Sequence, residues 1–248
     1  MIKELEGVIE APASEIMEVQ GPKFENLSTV AIVPTRGMVH CLAAQSWCNL
    51  QWPINHRHKG PMFVKGLQVD AAYEGGIGQI IEKMPGYAFI LTMEDDCAIP
   101  PMSLLRLVEA MRENPWIDGV SGLYCRKELQ GRPHVYGHPD KPDDFALMDV
   151  EGQTGIVECN AIPMGFSLYR RELFESLPRP WFKNVQEIQE GSLKRISQDL
   201  YFCMEAKKHS KRFAVHCDVK VGHIDQATDK IFMPYQPLES SHSEQMDA

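Results

Sequence analysis

Three consecutive acidic residues, Glu94, Asp95 and Asp96, directly follow a short apolar run from Phe89 to Met93. An apolar run of this length predicts a buried strand. The acids then lie at its carboxyl end, where open α/β sheets bind their ligands. Crowded carboxylates repel one another unless a cation neutralises them, and hard divalent ions favour such oxygen ligands. The triplet therefore predicts a metal-dependent site, and a solvated acidic turn is the alternative.

The elements that must position these acids alternate between strand and helix patterns. Predicted strands lie at Ser28–Pro34, Pro61–Lys65, Phe89–Met93, within Trp116–Tyr124, at Gly155–Ala161 and at Phe213–Val221; predicted helices lie at Val39–Leu50, Met102–Met111 and Asp199–His209. This alternation predicts an α/β protein with a mostly parallel central sheet flanked by helices.

Other segments are less regular. Arg126 to Gly152 is rich in Pro, Gly, His and Asp, which predicts a loop excursion over one face, whereas Gly165 to Phe174 is expected to enter a helix. Leu177 to Ser197 is expected to form a long loop, and loops of this length often act as lids or binding loops. We predict a peripheral arm over 1–27, one domain over 28–235 and a mobile tail over 236–248.

Bulk composition excludes several classes of protein. The 248 residues suit one large domain, and 44% hydrophobic with 24% charged residues is ordinary for a globular protein. No apolar run approaches a membrane span, and the first residues do not resemble a signal peptide. Seven cysteines without a Cys-x-x-Cys pair indicate reduced thiols and a cytoplasmic location. The net charge of -9 argues against a large nucleic-acid interface.

Further candidates for chemistry lie at the ends of the predicted strands. Pro34, Thr35 and Arg36 end the first strand and offer a hydroxyl and a guanidinium to a nucleotide. Asp70 is a candidate ligand or a helix cap, and Asp199 is a candidate base or a complement to a helix dipole.

The order of these features resembles one family. Pro34-Thr35-Arg36, Glu94-Asp95-Asp96, Gly165-Phe166, Gln198-Asp199 and Gly222-His223 occur in the sequence in the order of a GT-A fold glycosyltransferase, similar to family 2 and to compact bacteriophage-type members. The resemblance covers about Ser28 to Ile224 and implies a Rossmann-like nucleotide-binding half plus an acceptor half. Two positions depart from the family pattern, since Tyr73-Glu74 replaces an Arg-Asn pair and Gln198 replaces an acid.

The resemblance implies a role for each matching position. Asp96 is expected to bind Mn²⁺ or Mg²⁺ on the donor diphosphate, with His223 as a further ligand. Glu94 is expected to contact ribose or a metal-bound water, and Asp95 is grouped with it in the donor site. The nucleotide-binding first loop matches Pro34 to Arg36, and Asp70 matches an acid that meets the nucleobase or ribose.

The acceptor side is implied less completely. Asp199 matches the family's acceptor-side acid and is the expected catalytic base, while Gly165 and Phe166 fall at the acceptor half. Trp181 and Phe182 are either an apolar platform for an acceptor ring or ordinary anchors of the loop.

The expected function is the metal-dependent, inverting transfer of a sugar from a nucleotide-sugar donor, UDP-linked, to an acceptor hydroxyl. The acceptor stays open among a glycan, a protein, a small molecule and a modified DNA base. A nucleotidyltransferase is an alternative, although no glycine- and lysine-rich triphosphate loop is evident. A non-catalytic nucleotide-sugar-binding module is another.

Overall fold

Strands and helices alternate along the structure, a computed structural model that describes residues 25–128, 131–189 and 192–235. The strands are β1 (Thr29–Thr35), β2 (His58–Lys65), β3 (Phe89–Met93), β4 (Cys97–Ala98), β5 (Gly119–Tyr124), β6 (Ile156–Cys159), β7 (Phe166–Arg170), β8 (Val185–Gln189), β9 (Ser192–Ile196), β10 (Phe213–Ile224) and β11 (Ile231–Phe232). The helices are α1 (Cys41–Cys48), α2 (Val69–Lys83), α3 (Ser103–Glu113), α4 (Arg171–Ser176) and α5 (Gln198–Lys208). Most of the expected arm, and the expected tail, lie outside the described residues.

Nine of these strands form one sheet. Its main order is β11-β10-β5-β7-β3-β1-β2, and the short strands β4 and β6 also pair with β10. The pairs β1–β2, β1–β3 and β5–β10 are parallel, whereas β7 runs antiparallel to both β3 and β5. The predicted α/β class with a largely parallel central sheet is therefore confirmed. In the part of the chain that the structure describes, no helix combines the length and apolarity needed to cross a bilayer.

The sheet is covered on both faces, and this explains its apolar strands. Along β1, Val30 and Ile32 pack into one core with α2 and α5, whereas Ala31 and Val33 pack into a second core with α1 and α3. Successive side chains of a strand point to opposite faces, so a strand buried on both sides reads as a continuous apolar run.

One element in the centre of the sheet differs from the sequence-based prediction. Gly165 to Phe174 was expected to enter a helix, but Phe166–Arg170 is the antiparallel strand β7, and only Arg171–Ser176 is helical. A short buried run gives no periodicity that separates strand from helix. Pairing with β3 and β5 on both sides decides the outcome.

A second difference concerns the segment expected to be a long loop. Strands β8 and β9 lie within it and pair antiparallel, from Val185 opposite Ile196 to Gln189 opposite Ser192. The hairpin leads through Ser197 directly into α5, so Asp199 stands in the first helical turn, as expected.

Candidate functional site

The candidate site lies where four parallel strands end on the same edge of the sheet. Strands β1, β3, β5 and β10 end there at Thr35, Met93, Tyr124 and Ile224. After the acidic triplet, β4 pairs antiparallel with β10, and His223 lies opposite Cys97. The backbone N–H of Ile224 donates to the Asp96 carbonyl at 2.8 Å. This pairing places the side chains of Asp96 and His223 side by side.

The imidazole of His223 is oriented by a backbone carbonyl. Its Nδ1 lies 2.8 Å from the Cys125 carbonyl oxygen, and its Nε2 lies 3.3 Å from Asp96 Oδ2. A carbonyl oxygen only accepts, so Nδ1 carries the proton, and a neutral ring then presents the Nε2 lone pair to Asp96. The contact between Nε2 and Asp96 Oδ2 therefore contains either a shared proton, in which case His223 donates to Asp96, or a cation.

Lys127 supplies a cation at the same carboxylate. Its Nζ donates to Asp96 Oδ2 at 2.7 Å, and the Asp96 side chain is only 15% exposed. Burial alone would raise the pKa of Asp96, but the hydrogen bonds from His223 and Lys127 outweigh burial and lower that pKa. Asp96 is therefore held as a carboxylate.

Glu94 has the opposite electrostatic balance. Burial, with the charge of Asp96 added, raises the pKa of Glu94 to about 7, although Tyr124 donates its hydroxyl to Glu94 Oε2 at 2.8 Å. Gly165 makes room for this contact, because a Cβ there would lie 2.7 Å from the Tyr124 ring. The backbone of Gly165 also accepts from Glu94 N at 3.1 Å.

These residues fit a divalent cation. Ligand atoms of Glu94, Asp96 and Cys97 lie within 4.8 Å of one another. The Cys97 thiol is buried, donates to the Gly165 carbonyl at 3.2 Å and has a raised pKa because of burial, so it offers no thiolate. Carboxylate oxygens and a carbonyl-oriented imidazole remain as ligands. An imidazole whose other nitrogen donates to a carbonyl is the usual arrangement of a metal-binding histidine.

Asp199, in the first turn of α5, lies close enough to Glu94 for its charge to act on that residue. Asp199 Oδ1 accepts from the Ser197 hydroxyl and, at 2.9 Å, from Leu200 N. Burial raises the pKa of Asp199 despite these hydrogen bonds, and its charge contributes to the raised pKa of Glu94. The structure thus brings the predicted base and the predicted metal-binding acids into electrostatic contact from separate elements.

A tyrosine and a histidine from the loop excursion lie near Asp199 and Tyr124, respectively. Tyr136 OH is 2.6 Å from His134 Nδ1, and the His134 ring stacks on Tyr124. Burial, with the charge of Asp199 added, raises the pKa of Tyr136 to about 12. The excursion therefore contributes polar groups to the crevice.

The predicted donor loop lies at the end of β1. The Thr35 hydroxyl donates to the Met38 carbonyl at 3.1 Å and accepts from Gly37 N at 3.0 Å, which shapes the turn after Pro34. Burial raises the pKa of Asp95, and the neighbouring Thr35 hydroxyl and Arg36 charge reduce that effect. Arg36 is exposed at this edge.

Asp70 contacts the protein itself. Its Oδ1 accepts from Ala71 N at 2.9 Å and its Oδ2 from Asn184 N at 3.2 Å. Both oxygens are therefore engaged by backbone donors, and Asp70 lies in the first turn of α2 after the N-cap Gln68, so it is not itself the helix cap. Tyr73 and Glu74 stand where the family pattern has an Arg-Asn pair. Tyr73 is fully buried, and the Glu74 carboxylate accepts a hydrogen bond from Arg179.

The residues assigned to the acceptor half are buried. Phe166 is fully buried in β7, and Trp181 and Phe182 are 5% and 3% exposed. Phe182 stacks on Phe202, so the anchoring alternative describes both rings better than an exposed acceptor platform. Trp181 also lines a cavity of about 140 Å³ with Arg179 and neighbouring residues.

Sequence reasoning missed Tyr124, Lys127, His134 and Tyr136. Tyr124 ends a strand parallel to β3, so the rule that strand ends gather at one edge could have selected it. The other three lie in the irregular segment after β5, where no period shows which side chains turn inward.

The fold and the site define an α/β protein with an acidic crevice at the carboxyl edge of its sheet. No protein-family model matches the sequence, and no curated protein matches it. Among solved structures, the chain resembles the crystal structure of A197 from STIV with a TM-score of 0.58 and 20% sequence identity. The likeness covers 89% of this chain and 98% of that chain. At this level of identity it supports the fold alone.

Proposed function

We propose that this protein is a metal-dependent GT-A type glycosyltransferase that takes a sugar from a UDP-linked donor. The observation that carries the proposal is the contact of Asp96 with His223 at the strand ends, with Glu94 and Asp199 near enough for their charges to interact, although these residues come from three separate parts of the chain. Mn²⁺ or Mg²⁺ is the proposed cofactor, held by Asp96 and His223.

The donor is proposed to lie along the carboxyl edge of the sheet. Thr35 and Arg36 at the end of β1 offer a hydroxyl and an exposed guanidinium to the nucleotide. A bound divalent cation would stabilise the charge that develops on the leaving diphosphate. Lys127, whose Nζ lies 2.7 Å from Asp96 in the metal-free site, is a further positive group in the neighbourhood of the diphosphate.

Asp199 is proposed as the general base. The acceptor oxygen forms a bond to the anomeric carbon while the bond from that carbon to the diphosphate oxygen breaks. The electron pair of the broken bond leaves with UDP, and the hydroxyl proton passes to the Asp199 carboxylate. Burial raises the pKa of Asp199 and makes it a stronger base than an exposed aspartate, while Ser197 and Leu200 fix its orientation.

Calorimetry of UDP with and without Mn²⁺, joined to an assay of UDP release from UDP-sugars, tests the proposal. We expect Asp96→Asn to lose the Mn²⁺-dependent part of UDP affinity. Asp199→Asn should keep that affinity and lower UDP release by about 10²-fold or more, because only the reacting centre changes. Glu172→Gln is the matched control, since this exposed acid lies in the first turn of α4, at the opposite edge of the sheet.

Other outcomes contradict the proposal. UDP-sugar binding without turnover, unchanged by Asp199→Asn, would indicate a non-catalytic binding module. Release of pyrophosphate from a nucleoside triphosphate would indicate a nucleotidyltransferase.

A further inference from the structure

Lys127 and His223 approach the same oxygen of Asp96. Lys127 Nζ lies 2.7 Å and His223 Nε2 lies 3.3 Å from Asp96 Oδ2. The Asp96 and His223 side chains are 15% and 14% exposed, so water shields these charges little. The ammonium group therefore occupies the position beside the one carboxylate oxygen that faces the imidazole.

A divalent cation and the Lys127 ammonium group compete for Asp96 Oδ2. Such an ion binds carboxylate oxygens at about 2.0–2.6 Å, which is a distance similar to that of the Lys127 hydrogen bond. The metal ion and the ammonium group would then be neighbouring positive charges in a site that water shields little, so they would repel each other strongly. One must leave before the other binds.

We propose that Lys127 is a tethered competitor of the divalent cation at Asp96. The inference rests on the proposed metal site and adds a regulation to it. Lys127 neutralises Asp96 when no metal is bound, keeps the affinity for free metal low, and must swing away as metal binds. The diphosphate of a nucleotide donor attracts the displaced ammonium, so metal and donor favour each other's binding.

The surroundings of Lys127 leave room for its ammonium group to move away from Asp96. Its side chain is 33% exposed and belongs to the loop after β5, so it can turn toward solvent. Asp225 follows β10 nearby: its pKa is lowered first by the Ala227 N–H and further by the charge of Lys127. The displaced ammonium thus has a second, partly exposed carboxylate nearby.

Binding of Mn²⁺ alone, followed by the loss of the electron paramagnetic resonance signal of free Mn²⁺, tests the inference. If Lys127 occupies Asp96 in 90 to 99% of molecules, removing it should tighten Mn²⁺ binding by about 10- to 100-fold. We therefore expect Lys127→Met to bind Mn²⁺ at least about tenfold more tightly than the wild type. Lys127→Arg should bind no more tightly than the wild type, because a guanidinium also pairs with the carboxylate.

Lys83→Met is the matched control. It removes the same charge from the last turn of α2, at the opposite edge of the sheet, and should leave Mn²⁺ affinity at the wild-type value. Circular dichroism spectra and melting temperatures would establish that each variant is folded. The inference is overturned if Lys127→Met binds Mn²⁺ no more tightly than Lys83→Met. It is equally overturned if no folded variant binds Mn²⁺ at millimolar concentration.

The experiment separates this inference from the proposed function, because it contains neither nucleotide nor sugar. If Lys127→Met binds Mn²⁺ more tightly and the protein binds no UDP, the proposed role of Lys127 is supported and the proposed glycosyltransferase function is contradicted. A protein that transfers sugar, with equal Mn²⁺ affinities in Lys127→Met and Lys83→Met, would overturn the competitor and leave the transferase in place.

Discussion

His134 is a neutral imidazole on the wall of the crevice, held 2.6 Å from the Tyr136 hydroxyl. Burial, with the nearby charge of Arg126 added, lowers the pKa of His134 to about 4. Between pH 6.5 and 4 the unfolded chain therefore binds more protons than the folded protein at this residue. The His134 contribution to stability is complete above pH 6.5 and is lost as the pH falls toward 4.

His134→Asn should remove this pH dependence, because asparagine can still bond Tyr136 but does not titrate. From pH 7 to pH 4, the wild type should lose about 3 kcal/mol more unfolding free energy than the variant. Urea unfolding at a series of pH values measures both curves. Glu94, with its raised pKa, acts in the opposite direction but is present in both proteins, so it cancels in the difference. Parallel curves would show that His134 is not held neutral.

At the scale of elements, one glutamate fastens the segment after α4 to α2. Glu74 Oε1 accepts from Arg179 Nε at 2.7 Å, and its Oε2 accepts from the backbone N–H groups of Trp181 and Phe182 at 2.7 and 3.2 Å. The Glu74 side chain is 19% exposed. A single carboxylate therefore satisfies two backbone donors and one guanidinium.

Glu74→Ala should destabilise the protein by about 2–4 kcal/mol, because it leaves partly buried donors without an acceptor. Glu82→Ala is a control on the same helix: Glu82 is 64% exposed and 3.7 Å from the same Arg179. That change should cost under about 0.5 kcal/mol, as is usual for an exposed ion pair. Chemical denaturation compares the two variants. Equal losses of stability would mean that the Glu74 contacts do not hold the segment.

The same region shows what sequence reasoning can predict. The strand Phe89–Met93 and its acidic end follow from local pattern, and so does α5 with Asp199 in its first turn. The burial of Trp181 and Phe182 depends on Glu74, 107 and 108 residues away along the chain, and no local pattern encodes that distance. The central position of β7 depends in the same way on neighbours β3 and β5.

The candidate site was predictable to a similar degree. Asp96 and His223 could be paired because the family resemblance orders them, and the structure places them 3.3 Å apart. Lys127 could not be found in this way, because its contact with Asp96 is set by an irregular loop. Local pattern thus identifies candidate ligands at strand ends and misses the side chains that loops bring to them.

At the scale of the whole molecule, the two edges of the sheet differ in kind. The carboxyl edge gathers the strand ends that hold Thr35, Glu94 and Tyr124, and β10 adds His223. The opposite edge includes the start of α4, where Arg171 donates to the carbonyls of Ile81 and Met84 at the end of α2. Under the proposed function the carboxyl edge offers groups to a ligand, while Arg171 at the other edge is used in contacts within the protein.

Hydrogen exchange should report this asymmetry when UDP and Mn²⁺ bind. We expect slower exchange in four segments of the carboxyl edge, because a ligand bound there suppresses local opening. These segments are 35–41, 94–97, 125–128 and 223–229.

The amides near Arg171 should exchange at an unchanged rate, and Asp96→Asn should abolish the protection under the same conditions. The cavity beside Trp181, which is lined by the segment that Glu74 fastens to α2, is the alternative binding site. Protection confined to 177–181 and 201–209 would place the nucleotide in that cavity and remove the acidic crevice as its binding site.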